Sequence, residues 1–209
     1  MITITPLAAD DAAGFEAMFA LYASAIEASE RKPRAAIAAY LRDPRCRVLV
    51  ARDGDAVAAF AMLFLPAGAD FWLLDYMAVD ARLRSQGLGA RMFAAASDDA
   101  RARGRMLCLI EIDRPGARVS PGNNPAARAA FYARLGCRTV EGLSYILPLD
   151  VAGAPPAMQL LVHGEPGPFP KARVRQWLTA LYTQVYDQQP DDPRIASMIG
   201  DLPETIAVA

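Results

Sequence analysis

Hydrophobic and polar positions change period several times along the chain, and each change marks an element. The opening Ile2-Thr3-Ile4-Thr5 alternates with a period of two, as an edge strand does. Phe15, Met18, Phe19 and Tyr22 then recur at helical spacing, and Asp10 or Asp11 can cap a helix running to about Ile26. The segment Ser29 to Pro33 interrupts that pattern, and a second short helix is predicted from Arg34 to Leu41, ended by Asp43-Pro44. Two apolar runs, Arg47 to Arg52 and Ala56 to Phe64, flank Asp53-Gly54-Asp55. The Asp-Gly step between them predicts a hairpin. Phe71 to Val79 and Met106 to Ile112 read as buried strands. The helix between them, from near Gly89 to Gly104, completes a β-α-β unit with a parallel strand pair.

Arg114 to Asn124 is rich in Pro, Gly and Asn and predicts a loop. Pro125 suits the first turn of a helix ending at Gly136. Leu143 to Leu149 and Ala157 to His163 then supply two late strands. Beyond Gly164 the character changes: Gly164 to Pro170 has a linker's composition, and Ala172 to Tyr186 places Val174, Trp177, Leu178, Leu181 and Val185 on one helical face. The remainder holds too many prolines for one helix and is expected to wrap the surface. The expected organisation is a domain over residues 1–163 and a C-terminal helical extension over 164–209, packed on that domain or at a homodimer contact.

Length and composition narrow the class. A chain of 209 residues suits one domain with a small extension. With 54% hydrophobic residues, 22% charged residues and a net charge of -1, it has a globular composition and none of the basic balance of a nucleic-acid platform. No stretch approaches the roughly 20 apolar residues of a membrane span, and the N-terminus lacks the pattern of a signal peptide. The expectation is a cytoplasmic protein with no nucleic-acid or membrane partner. Cys46, Cys108 and Cys137 are odd in number and lack CxxC spacing, so they read as reduced, buried thiols with no metal site. The arginines are scattered and lysine occurs only at 32 and 171, a pattern best explained by codon preference.

Candidate chemistry concentrates where the Phe71–Val79 strand passes through a turn into a helix. Gly87 and Gly89 carry no Cβ, so the loop folds tightly and its N–H groups can meet an anion. The start of the helix adds N–H donors and the positive end of a dipole. A diphosphate is the natural ligand. The chain has no Gly-Lys step, which excludes a P-loop, and Met92 stands where the third glycine of GxGxxG belongs, which disfavours a nicotinamide-binding turn.

Arg84-x-x-Gly87-x-Gly89 after Tyr-Met-Ala-Val-Asp resembles the acyl-CoA-binding signature of the GNAT superfamily of N-acetyltransferases. About forty residues further on, Phe131, Tyr132, Leu135 and Gly136 resemble that family's second motif, with Cys137 replacing its usual aromatic residue. The resemblance covers roughly residues 1–163, and Glu111 to Pro115 is similar to an element of a bacterial branch. It implies an α/β (α+β) fold, with a mixed central sheet of about seven strands whose fourth and fifth strands are parallel and splay apart, flanked by helices. It implies acetyl-CoA as acyl donor, without a metal. Pantetheine would pair with the backbone of Met77, Ala78 and Val79, and the diphosphate would meet the loop of Arg84, Gln86, Gly87, Leu88, Gly89 and Ala90. Asn124 lies eight residues before Tyr132, where many relatives place a pantetheine-contacting Asn at seven; Arg128, one helical turn before Tyr132, is an alternative phosphate contact.

Direct transfer needs an acid for the leaving thiolate and a base for the amine. By resemblance Tyr132 is the acid. Asp75, Glu111 and Asp113 are the base candidates, with Glu111 favoured because a carboxylate in an otherwise apolar strand is costly to bury without purpose. Glu111 and Asp113 share a face by the period of two. The purely structural alternative for Glu111 is pairing with Arg114 or Arg118. His163 ends a predicted strand and has no GxSxG partner motif, so it reads as a surface or capping residue. The expected function is transfer of an acetyl group from acetyl-CoA to a primary amine, of a small molecule or a peptide, through a ternary complex. The alternative is a CoA-binding sensor or scaffold without turnover.

Overall fold

The computed structural model describes residues 2–117, 124–148 and 157–209. It divides into two compact units, residues 1–65 with 72–105 and residues 66–71 with 106–209.

The first unit runs β1 (Thr3–Pro6), α1 (Ala12–Ala25), α2 (Arg34–Tyr40), β2 (Cys46–Asp53), β3 (Ala56–Phe64), β4 (Phe71–Val79) and α3 (Leu88–Arg101), with a 3₁₀ turn at Ala28–Glu30 where Ser29 to Pro33 breaks the helical period. Asp11 caps α1, its Oδ1 accepting the Gly14 N–H at 2.8 Å. The strands follow one another in the order β1-β2-β3-β4, every neighbouring pair antiparallel, and β2 and β3 form the hairpin predicted around Gly54. Phe15, Met18, Leu21 and Tyr22 of α1 and Ile37 of α2 join Val48, Val50, Phe60 and Met62 in one core. α3 packs on β3 and β2 and brings Phe93 to within 6.4 Å, ring to ring, of Trp72. Covered in this way, β3 is buried from Val57 to Phe64, which is why its sequence is continuously apolar instead of alternating. Each fully buried Phe, Leu or Met contributes about 1.5–3 kcal/mol.

Where β3 and β4 pair, the register slips: Met62 faces Tyr76 but Leu63 faces Leu74, so Asp75 is the extra residue of a β-bulge. Burial changes at the same point. Phe71 to Leu74 are buried, whereas Asp75 to Val79 are half-buried.

The second unit contains β5 (Leu107–Asp113), α4 (Pro125–Arg134), β6 (Arg138–Thr139), β7 (Met158–His163), β8 (Phe169–Pro170), α5 (Lys171–Gln184), α6 (Pro193–Gly200) and β9 (Thr205–Ile206). Its main strands lie in the order β5-β7-β6, and both of these pairs are antiparallel. Three expectations are corrected here. Leu143 to Pro148 form no strand beyond a single bridge from Tyr145 to Met158, and the sixth strand is Arg138–Thr139 instead. The reason lies in the backbone partners of Ile146: its N–H meets the Met198 sulfur at 3.2 Å and its carbonyl accepts from the Tyr182 hydroxyl at 2.6 Å. The segment read as a linker contains β8, paired with β9, and the segment expected to wrap the surface contains α6, capped by Asp192. Residues 118–123, including Arg118 and most of the predicted loop, lie outside the described residues.

The apolar stripe of α5 is covered within this unit. Val174, Trp177, Leu178 and Leu181 are buried; Val185 is only half-buried at the end of the helix, and Tyr182 takes its place on the buried face. Phe169 and Trp177 meet edge to face at 4.9 Å. Trp177 Nε1 donates to Asp70 Oδ1 at 3.1 Å. No helix among the described residues is long and apolar enough to cross a membrane.

Candidate active site

In the first unit the candidate cradle follows β4 directly. Asp80 receives its own turn, its Oδ1 accepting the Arg82 N–H at 2.9 Å while the Arg82 guanidinium bonds the same carboxylate at 2.7 Å. These bonds hold the Asp80 carboxyl well below the ordinary range, at about 2, so it stays ionised. Arg84, Ser85, Gln86 and Gly87 are exposed; Arg84 Nε reaches the Val79 carbonyl at 3.4 Å. Ser85 and Gly87 both have left-handed backbones, φ 63° and 78°. At Ser85 that conformation costs about 1–3 kcal/mol, strain of the kind found at ligand clamps. Gly87 is the N-cap of α3 and supplies no side-chain cap, and a Cβ placed there would meet no protein atom within 4 Å. The first turn of α3 therefore presents its N–H groups beside open space, and the residues fit a diphosphate. Leu88, buried to 3% exposure, anchors the helix by its side chain and offers the loop only its backbone. Gly89 and Ala90 sit half-buried in the first turn. Met77, Ala78 and Val79 pair with Ala61, Phe60 and Ala59 along one edge of β4.

Asp75 sits two residues before that edge, and its carboxylate is spoken for. Lys32 Nζ lies 2.6 Å from Oδ2, and the Tyr40 hydroxyl donates to the same oxygen. The Lys32 ammonium also lies over the rings of Tyr40 and Tyr76, at 5.2 and 5.3 Å. Burial and the Asp75 charge push both tyrosines far above their ordinary range.

The second unit collects the remaining candidates. Asp113, 5% exposed, pairs with Arg128 at 3.1 Å, so the arginine considered as a phosphate contact is engaged by a carboxylate of β5. Asn124 caps α4, its Oδ1 accepting the Ala127 N–H at 2.9 Å. Tyr132 is buried near the end of α4, edge to face with Phe131 at 5.1 Å, and burial pushes its phenol well above the ordinary range. The hydroxyl therefore carries its proton throughout the neutral range. Glu111 is half-buried on β5 and is held by two tyrosine hydroxyls, Tyr145 on Oε1 and Tyr186 at 2.6 Å on Oε2. Sequence reasoning missed Lys32, Tyr40, Tyr145 and Tyr186. The two lysines of the chain were the available signal for the first; nothing local marks the three tyrosines, which reach their partners across 34 to 75 residues of sequence.

All three cysteines are buried and free of disulfides, and burial pushes the thiols of Cys46 and Cys137 up to about 12. His163 sits at the end of β7 opposite Cys108.

A mixed α/β fold in which a glycine turn leads from a strand into an uncapped helix is an architecture suited to holding an anionic ligand at the helix start. The sequence profile of the acetyltransferase (GNAT) family matches residues 15–137, and the chain belongs to that family. Comparison with curated protein sequences gives no match. Among solved structures, one similar protein is assigned to the GNAT acetyltransferases of Bacteroides thetaiotaomicron: the TM-score is 0.70 at 20% identity, over 90% of this chain and 99% of that one. The ribosomal-protein-S18-alanine N-acetyltransferase of Escherichia coli aligns with a TM-score of 0.58 at 21% identity, over 78% of this chain and 92% of that one. An aminoglycoside 6'-N-acetyltransferase complexed with coenzyme A gives 0.59 at 16% identity, over 80% and 99%. At these identities the likeness is one of fold, the GNAT fold.

Proposed function

We propose that this acetyltransferase moves an acetyl group from acetyl-CoA to a primary amine by direct attack in a ternary complex. The observation that carries the reading is the uncapped start of α3 at Gly87, entered from β4 through a strained, exposed loop. Acetyl-CoA, when bound, supplies an activated thioester. The backbone amides from Gly87 to Ala90 bind its diphosphate, and the backbone of Met77 to Val79 pairs with pantetheine. A backbone N–H at that edge also polarises the thioester carbonyl, a donor typically worth about 3–4 kcal/mol in the transition state.

Tyr132 supplies the proton for the leaving thiolate, a role that rests on its place in the family's second motif and on a hydroxyl that holds its proton in the neutral range. Glu111 takes the proton from the amine. Asp75 and Asp113 are less suited, since each is paired with a basic side chain of its own unit, whereas Glu111 stands in the otherwise apolar β5 with two tyrosine hydroxyls donating to its carboxylate. A cationic amine, from a small molecule or a peptide, suits an anionic receiving group.

Initial rates with acetyl-CoA and amine both varied test this mechanism. Intersecting double-reciprocal lines are expected from a ternary complex. Parallel lines, the sign of an acyl-enzyme, would overturn direct attack.

A further inference from the structure

The C-terminal extension reaches into the chemistry of β5. Tyr186 lies just past the end of α5, and its hydroxyl donates to Glu111 Oε2 at 2.6 Å while Tyr145 donates to Oε1. The segment that carries Tyr186 is fixed from several directions. Gln188 Nε2 donates to the Tyr186 carbonyl at 2.8 Å, and the Gln188 N–H donates to the Tyr182 carbonyl at 2.9 Å. Arg194, from the first turn of α6, donates to Gln188 Oε1 at 2.9 Å and pairs with Asp192 at 2.7 Å. Asp187 takes a left-handed backbone, φ 55°, between the two anchored residues. A bend of that kind is strained in a non-glycine residue and persists only when its surroundings impose it. Here the surroundings deliver one phenol to one carboxylate.

From this geometry we infer that Tyr186 is a positioning residue for Glu111, and that the extension exists in this chain to orient the base of the transfer reaction. The inference rests on the proposed role of Glu111. A hydroxyl on each oxygen fixes the plane of the carboxylate and favours its ionised form, leaving it ready to accept a proton from the amine. The ionisable groups facing Glu111 include Tyr145 from the segment after β6, Tyr186 from the extension, and Tyr182 of α5 at longer range; β7 offers Leu160 across the ladder. The arrangement assigns the extension a role that neither the CoA loop nor Tyr132 shares.

The experiment compares wild type, Tyr186→Phe and Glu111→Gln in the full-length chain, using the pH profile of kcat/KM with one amine and a ¹³C-carboxyl NMR titration of Glu111. Removing the donor is expected to move the acidic limb of Tyr186→Phe to higher pH, with kcat/KM below the limb reduced about tenfold and the KM for acetyl-CoA unchanged. The Glu111 midpoint moves in the same direction. An unmoved limb in a Tyr186→Phe enzyme, beside an inactive Glu111→Gln, overturns the positioning role alone. A Glu111→Gln variant as active as wild type overturns the base assignment and the inference with it. If Tyr186→Phe does not fold, Gln188→Ala keeps the phenol and frees its backbone; a smaller shift of the same limb is expected, and no shift overturns the proposal.

Discussion

Lys32 and Asp75 are joined at 2.6 Å across 43 residues of sequence, the lysine from the segment between the first two helices and the aspartate from the bulge of β4. The aspartate side chain is 7% exposed and the lysine 27%. Removing the cation leaves a buried carboxylate with a hydroxyl partner but no opposite charge. Lys32→Met is therefore expected to lower unfolding free energy by about 3 kcal/mol, measured by urea titration. Asp75→Asn in the same chain should recover part of the loss. A Lys32→Met protein as stable as wild type would show that the pair contributes nothing.

The cradle makes a separate prediction about binding. Gly89 lies inside the first turn of α3, where glycine is among the poorest helix formers and valine is no worse. Gly89→Val should leave the melting temperature within a degree or two of wild type while its branched side chain pushes the diphosphate away from the helix start. Calorimetry is expected to show a large loss of acetyl-CoA affinity. Unchanged affinity in the folded variant would remove the loop from the CoA site.

Tyr132→Phe keeps the ring that packs on Phe131 and removes only the hydroxyl. Turnover should fall by about 10²–10⁴-fold, with acetyl-CoA affinity little changed. Full turnover would make Tyr132 a packing residue.

Acid stability offers a test away from the site. Asp99 of α3 is partly buried, which raises its carboxyl pKa, but the guanidinium groups of Arg47 and Arg103, each within 3.1 Å, outweigh burial and hold it below the ordinary value of 3.8. A carboxyl depressed in the folded state adds stability above its unfolded value and loses that contribution as pH falls through the folded one. The stability gap between wild type and Asp99→Asn should therefore be constant near neutrality and close as pH drops below about 4. Urea midpoints across that range report it, and a gap independent of pH would contradict the assignment.

Local patterns in the sequence foretold most elements of the first unit, because each carries its own punctuation: Asp11 as a cap, Asp53-Gly54 as a turn, and continuous apolar runs for β3 and β4. The glycine turn was legible for the same reason. The second unit was less so. Ile146 spends its backbone groups on Met198 and Tyr182, and Phe169 pairs with Ile206, choices settled by packing between distant segments. Glu111 stood out as a charge in an apolar strand, but the two phenols that hold it arrive from positions 145 and 186 with no local signature.

The central claim, that this chain carries an acyl group from CoA to an amine, is tested most directly by incubating the purified protein with acetyl-CoA and a panel of primary amines, reading thiol release together with product mass. The account predicts thiol release that depends on both protein and amine, with an equal amount of N-acetylated product. Binding of acetyl-CoA by calorimetry with thiol release no faster than in buffer, for every small-molecule and peptide amine tried, would contradict it and favour a CoA-binding module without turnover.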